Sequence, residues 1–200
     1  TLISVHLIKH VICKEAASSS PKNRVVIFLV PQVLLVAQQA RVIRQSISAR
    51  VGEFSGVKGF ERCQAELEKH EIIVATPQIL YNVLLHGYLK LSKISLLVFD
   101  ECHHACGSDP YANIMRDYYH KERDSSKRPK VFGMTASPIV RNVKGCEEKA
   151  LRAVQALEAI LDSKVRSPSN PLEVARYISI PTQHVVSYDP SPLAFSQHVP

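Results

Sequence analysis

Paired cysteines, a membrane-length apolar run and an internal repeat are all missing from this 200-residue sequence. The five cysteines, Cys13, Cys63, Cys102, Cys106 and Cys146, form no CxxC pair and make an odd count. That speaks against a disulfide framework and for a reducing, intracellular compartment. No apolar stretch approaches the ~20 residues that a membrane-spanning helix needs. The opening TLISVHLIKHVICK is broken by His6, Lys9 and His10 and has no cleavage-site pattern, so it does not read as a signal peptide. An initial methionine is lacking too. The chain begins at Thr1, and a piece of something larger is the natural expectation.

What is present suffices for one α/β domain with a sizeable core, at 46% hydrophobic residues over this length. A net charge of +7 favours a polyanionic partner, nucleic acid first. Dense apolar residues from Leu2 to Ile12 suggest a well-buried first helix. Val25 to Val30 reads as a buried strand stopped by Pro31, Val33 to Ser46 as a helix, and Ile47 to Val51 as a short strand. Gly52, Gly56 and Gly59 mark loops, and Glu61 to Lys69 a polar helix. Ile72 to Ala75 is a second buried strand, followed by a helix from Gln78 to Leu85. Tyr111 to His120 reads as helix, Lys121 to Lys130 as a charged loop, Val131 to Met134 as a strand and Glu147 to Leu161 as an amphipathic helix. Such alternation implies a parallel sheet.

The most informative stretch is Leu96-Leu97-Val98-Phe99-Asp100-Glu101-Cys102-His103. An apolar run of this kind is a strand buried on both faces, and ligand sites in parallel sheets lie just beyond the carboxyl ends of strands. Two acids placed there can hold hydrated Mg²⁺ and activate a water for attack on a phosphate. A solvated acidic turn is the plainer alternative. A zinc site from Cys102, His103, His104 and Cys106 is a poor one, since three successive side chains diverge and no second ligand pair lies close in sequence.

Other segments repeat the strand-to-turn pattern. Pro31 and Gln32 open a helix carrying Gln38, and Thr76 and Pro77 open another; helix starts offer backbone N–H groups to phosphates. Each alone is an ordinary turn. Thr135, Ala136 and Ser137 follow their own buried strand, and the small hydroxyls of Thr135 and Ser137 can bond to the acidic box.

In combination these segments resemble superfamily 2 DExH helicases. Asp100 to His103 match the Walker B box, Pro31 to Gln39 motif Ia, the region of Gly56 motif Ib, Thr76 to Leu80 the TPxxL element, and Thr135 to Ser137 motif III. DECHHA, Asp109-Pro110-Tyr111, Tyr118-Tyr119 and GMTASP are similar to the first helicase lobe of Dicer proteins, the fungal type above all. The resemblance covers nearly the whole chain. It implies a RecA-like parallel sheet flanked by helices, ATP and Mg²⁺ as cofactors, and double-stranded RNA as partner. Asp100 would position Mg²⁺, Glu101 would orient or deprotonate the attacking water, and His103 with Thr135, Ala136 and Ser137 would couple hydrolysis to RNA contact. Pro31, Gln32, Gln38, Gly56, Thr76 and Pro77 would lie along the RNA track.

No GxxxxGK[ST] phosphate loop occurs in the sequence, so the fold is expected to lack its P-loop strand. By the resemblance, Thr1 would be the last residue of that loop and a second Mg²⁺ ligand. Residues 1–166 would form the partial ATP-binding lobe, and 167–200 an exit segment toward an absent second lobe. The ribonuclease III domains would lie elsewhere in a cytoplasmic or nuclear parent. Two alternatives stand beside this reading: a degenerate stand-alone RNA- or protein-binding module, or a lobe of another DExH helicase, of innate RNA-sensor or DNA-repair type. Alone, the 200 residues are expected to hydrolyse ATP negligibly.

Overall fold

The computed structural model describes residues 2–17, 24–56, 67–138 and 147–167. Thr1, Gly59, most of the segment expected as a polar helix at 61–69, and nearly all of the exit segment lie outside them.

Five strands form one parallel sheet: β1 Val25–Leu29, β2 Val51–Phe54, β3 Ile72–Ala75, β4 Ile94–Phe99 and β5 Lys130–Gly133. Their order is β2-β3-β1-β4-β5, which puts the first strand at the centre. Helices α1 Leu2–Ala16, α2 Val33–Ser46, α3 Pro77–Leu85, α4 Pro110–Ile114 and α5 Glu147–Leu161 supply the layers. The parallel α/β architecture is as expected, and no strand precedes α1 among the described residues.

Period-two alternation divides each central strand between two cores. Val26, Phe28, Val30, Leu96 and Val98 face one side, where Val5, Ile8 and Val11 of α1 and Val36, Ala40 and Ile43 of α2 cover them. Val25, Ile27, Leu29, Leu97 and Phe99 face the other, against α3, α4 and Leu157 and Leu161 of α5. Burial on both faces explains why these strands are uninterrupted apolar runs.

Four expectations are corrected. The first helix is not well buried: Ser4, Val5, Ile8 and Val11 are buried, Leu7 and Ile12 pack partly against the same core, and Leu2 and Ile3 are 71% and 72% exposed. The short strand after α2 begins at Val51, where the expected one ended. The Arg50 carbonyl receives the N–H groups of Glu71 and Ile72, fixing Val51 opposite Ile72. Gly52 therefore lies inside a strand rather than a loop, and a Cβ there would come within 2.8 Å of the Phe54 ring and 2.9 Å of the His70 ring. Finally, the expected helix at 111–120 starts at Pro110 and widens into a π-turn at Met115–Tyr119, closed by His120 N–H to the Met115 carbonyl at 2.9 Å.

Leu97 is fully buried in β4. Leu97→Ala should cost about 2–5 kcal/mol of stability, the range for removing a buried leucine side chain. A denaturant titration checks this; an unchanged midpoint would contradict the packing described.

Candidate functional site

All strands run the same way, so every candidate residue that comes after a strand arrives at one edge of the sheet. After β1 the chain enters α2 on one face, whereas after β4 it enters α4 on the other, opening a crevice between β1 and β4. Asp100 stands at that crevice, its N–H bonded to the Leu29 carbonyl at 2.9 Å.

The acidic turn is built against local preference. Glu101 adopts left-handed backbone, φ 50° and ψ 50°, a conformation that costs a non-glycine residue roughly 1–2 kcal/mol. Neighbours hold it there. The Cys102 N–H donates to the Met134 carbonyl and the Met134 N–H to the Phe99 carbonyl, both at 2.8 Å, stitching the ends of β4 and β5 together. The phenol of fully buried Tyr111 donates to the Asp100 carbonyl at 2.9 Å, while its ring packs edge-on against Phe99. Asp109 caps α4 by accepting the Tyr111 N–H at 2.8 Å, which fixes that phenol in place.

This geometry leaves the side chains facing different surroundings. Burial, and then the adjacent Glu101 charge, push the Asp100 carboxyl above its usual range. Cys102 turns inward, and burial pushes its thiol up to about 11, which makes it packing rather than a nucleophile or zinc ligand. Its Sγ sits where a Cβ on Gly133 would come within 2.8 Å. Glu101 remains half-exposed, and its Oε2 lies 3.2 Å from His103 Nδ1.

His103 Nδ1 also lies 2.8 Å from Thr135 Oγ1, across to the turn after β5. That hydroxyl donates its only hydrogen to the Ser137 carbonyl at 2.8 Å and accepts the Ser137 N–H at 3.1 Å. A carboxylate and a hydroxyl engaged with the Ser137 carbonyl as its neighbours favour the tautomer with the proton on Nδ1.

Thus Glu101, His103, Thr135 and Ser137 come together in one network, with Ala136 exposed between the last two and Asp100 coupled to it through the adjacent Glu101 charge. Pro31 and Gln32 after β1, Thr76 and Pro77 after β3, and Gly56 beyond β2 succeed neighbouring strands along the same edge. Gln32 and Thr76 cap their helices without a side-chain hydrogen bond, so neither polar group is used on its own helix. Thr76 is buried, which narrows access to its hydroxyl, and Gln38 is exposed further along α2. Sequence reasoning missed Tyr111, Gly133 and the carbonyls of Leu29 and Met134 as supports of the turn. Asp109-Pro110-Tyr111, a capped helix start just after the acids, was the available signal for Tyr111.

Acids in the crevice of a parallel sheet, wired to a hydroxyl turn one strand over, place the chain among the RecA-like lobes of helicases. Residues 3–145 match the DEAD/DEAH box helicase family, and the chain belongs to it. It is 38% identical to Endoribonuclease Dicer homolog 3 of Arabidopsis thaliana over 185 residues, covering 90% of this chain and 12% of that protein. It is 41% identical to Dicer-like protein 1 of Aspergillus terreus over 196 residues, again spanning 12% of the relative's length. The Hef helicase domain of Pyrococcus furiosus superposes with a TM-score of 0.58 at 31% identity, over 73% of this chain and 29% of that one.

Two substitutions probe the turn. Tyr111→Phe keeps the ring but strips the Asp100 carbonyl of its donor, and should destabilise by about 1–3 kcal/mol in a denaturant titration. An unchanged midpoint would remove the phenol from this account. For Asp100, the raised folded-state value means that ionisation works against the fold. That penalty is absent while the carboxyl is protonated and grows as pH rises through the folded value. Asp100→Asn should therefore raise the melting temperature of the metal-free protein at neutral pH. The gain should shrink as pH falls toward the ordinary value of 3.8. A gain independent of pH would count against it.

Proposed function

We propose that the chain is the ATP-binding lobe of an ATP-dependent double-stranded RNA helicase or translocase, within a Dicer-type ribonuclease acting in RNA silencing. One observation carries this: the acidic pair at the end of β4 is fixed by backbone and linked through His103 to Thr135. The names of the relatives, Dicer in each case cited, support the ribonuclease context.

The donor set suits Mg²⁺. Adjacent carboxylates, one of them desolvated, repel when bare, and a divalent cation relieves both penalties. Hard oxygen ligands with few protein donors fit a cation that keeps several waters and shares phosphate oxygens. Among the described residues no group of three or more His, Cys, Asp or Glu converges, so Asp100 would hold the ion largely with water and phosphate. Thr1, by the resemblance, would add a hydroxyl. Bound Mg²⁺–ATP supplies the reacting phosphate and neutralises charge developing on it.

The remaining tasks fall to the chain. Glu101, with 43% of its side chain exposed, can orient the attacking water and take up its proton. His103 Nδ1–H is shared between Glu101 and Thr135, so a change in the charge of Glu101 alters how firmly the imidazole holds the turn after β5. Thr135, Ala136 and Ser137 thereby couple hydrolysis to movement on RNA. Pro31, Gln32, Gly56, Thr76 and Pro77, with Gln38 on α2, form the RNA track. Duplex RNA is contacted there through backbone and shape. A second RecA-like lobe and ribonuclease III domains in the parent chain complete the machine.

In the full-length protein, Glu101→Gln should lower RNA-stimulated ATP hydrolysis by about 10²-fold or more, the usual scale for losing a general base. ATP binding, followed by a fluorescent analogue, should persist. Turnover at the wild-type rate would sink the proposal.

A further inference from the structure

The parallel ladder that gathers the acids at one edge sends all the amino ends of the strands to the opposite edge. With strands of 4 to 6 residues, the two edges lie about 13–20 Å apart. Two concavities open at the amino edge. One, of about 440 Å³, is rimmed by Arg24, Arg50, Lys90 and Lys93, with Glu68 and Glu71. The other, of about 730 Å³, is rimmed by Lys14, Arg24, Arg128 and Lys130, with Glu15. Arg24 belongs to both, so the two adjoin at its side chain.

Its charge is not balanced internally. Glu71 is taken by Arg50 at 3.4 Å, and Arg128 reaches Asp162 at 4.0 Å. Lys14, Arg24, Lys90, Lys93 and Lys130 have no ion pair among the described residues. The Arg24 guanidinium donates one bond to the Ser126 carbonyl at 3.1 Å, and its Nε is buried with no acceptor.

The distribution of charge identifies the kind of ligand. The cations extend from Arg50, which Glu71 partly neutralises, before β2, to Lys130, at the start of β5, with the unpaired ones lying from β1 to β5. Five strands at about 4.8 Å spacing make that span about 19 Å. A single small anion cannot meet both ends, whereas a polymer with regular negative charge can. At ~3.4 Å per phosphate along a duplex strand, about five phosphates fit the span. None of the large exposed apolar side chains lines either concavity.

We propose that the amino edge of the sheet is a second nucleic-acid surface, which binds the phosphodiester backbone without reading sequence. It is separate from the track at the carboxyl edge and needs no ATP turnover.

The test uses the full-length protein with Lys90→Gln, Lys93→Gln and Lys130→Gln combined, three exposed lysines outside the hydrolysis site. Binding of a blunt duplex RNA is measured across a salt series. Each phosphate contact contributes roughly 0.7–0.9 to the slope of log affinity against log salt, so the triple variant should show a slope shallower by about 2–3. Weaker binding at low salt and unchanged RNA-independent ATP hydrolysis should accompany it. The corresponding triple arginine variant, which keeps the charges, should restore the slope. A wild-type slope in the glutamine variant overturns the proposal. So does loss of poly-L-glutamate binding with RNA binding intact, which would make the edge a surface for acidic polypeptides. Either result leaves the Glu101→Gln test of the helicase reading unaffected.

Discussion

The site depends on one strained residue. Glu101 holds left-handed backbone because the atoms around it leave no relaxed alternative: Leu29 fixes Asp100 from one strand, Met134 fixes Cys102 from another, and Tyr111 fixes the carbonyl between them. Two of these three supports are main-chain groups that exist only when β1, β4 and β5 pair in register. The acids are therefore positioned by the sheet as a whole. A slip of one residue in β4 would turn Leu97 and Phe99 to the wrong core and move the turn away from Met134 at the same time.

Electrostatics point the same way. A protein optimised only for stability would not set two carboxylates side by side at the mouth of a crevice and desolvate one of them. The strained backbone and the raised Asp100 both oppose the unliganded fold, and buried apolar runs on both faces of β4 offset them. Such a combination makes sense where a cation and a reacting phosphate complete the site, since the binding partner then relieves what the empty fold must tolerate.

Much of this was legible in the sequence because burial on two faces leaves an unmistakable trace. Val25 to Val30, Ile72 to Ala75 and Leu96 to Phe99 had to be strands, and the turns at their carboxyl ends had to share an edge. The side-chain partners His103 and Thr135 were evident from their motifs. The supports were not, because Leu29 and Met134 act through carbonyls that every residue possesses. Gly133 was invisible for a related reason: its importance is the absence of a Cβ against Cys102, a contact between strand and turn about thirty residues apart in sequence. The β2 register escaped because Gly52 reads as a loop residue, and only the nearby rings of Phe54 and His70 show why a strand needs it. Helix α1 misled in the opposite way. Its apolar density suggests burial all round, yet the sheet has room for one face alone.

Parallel topology also separates two kinds of chemistry that would interfere if they were neighbours. Under the proposed role the acidic turn would attract a divalent cation, and nearby unpaired lysines would compete for its carboxylates. Because every strand runs the same way, turns that leave strands and turns that enter them fall on opposite edges, one carrying Asp100 and Glu101, the other Arg24, Lys90, Lys93 and Lys130. A separation of about 13–20 Å exceeds the ~8 Å Debye length at physiological salt, so the two fields are largely screened from each other. The same architecture that gathers the acidic turn at one edge thus leaves the other free to collect positive charge without neutralising those carboxylates.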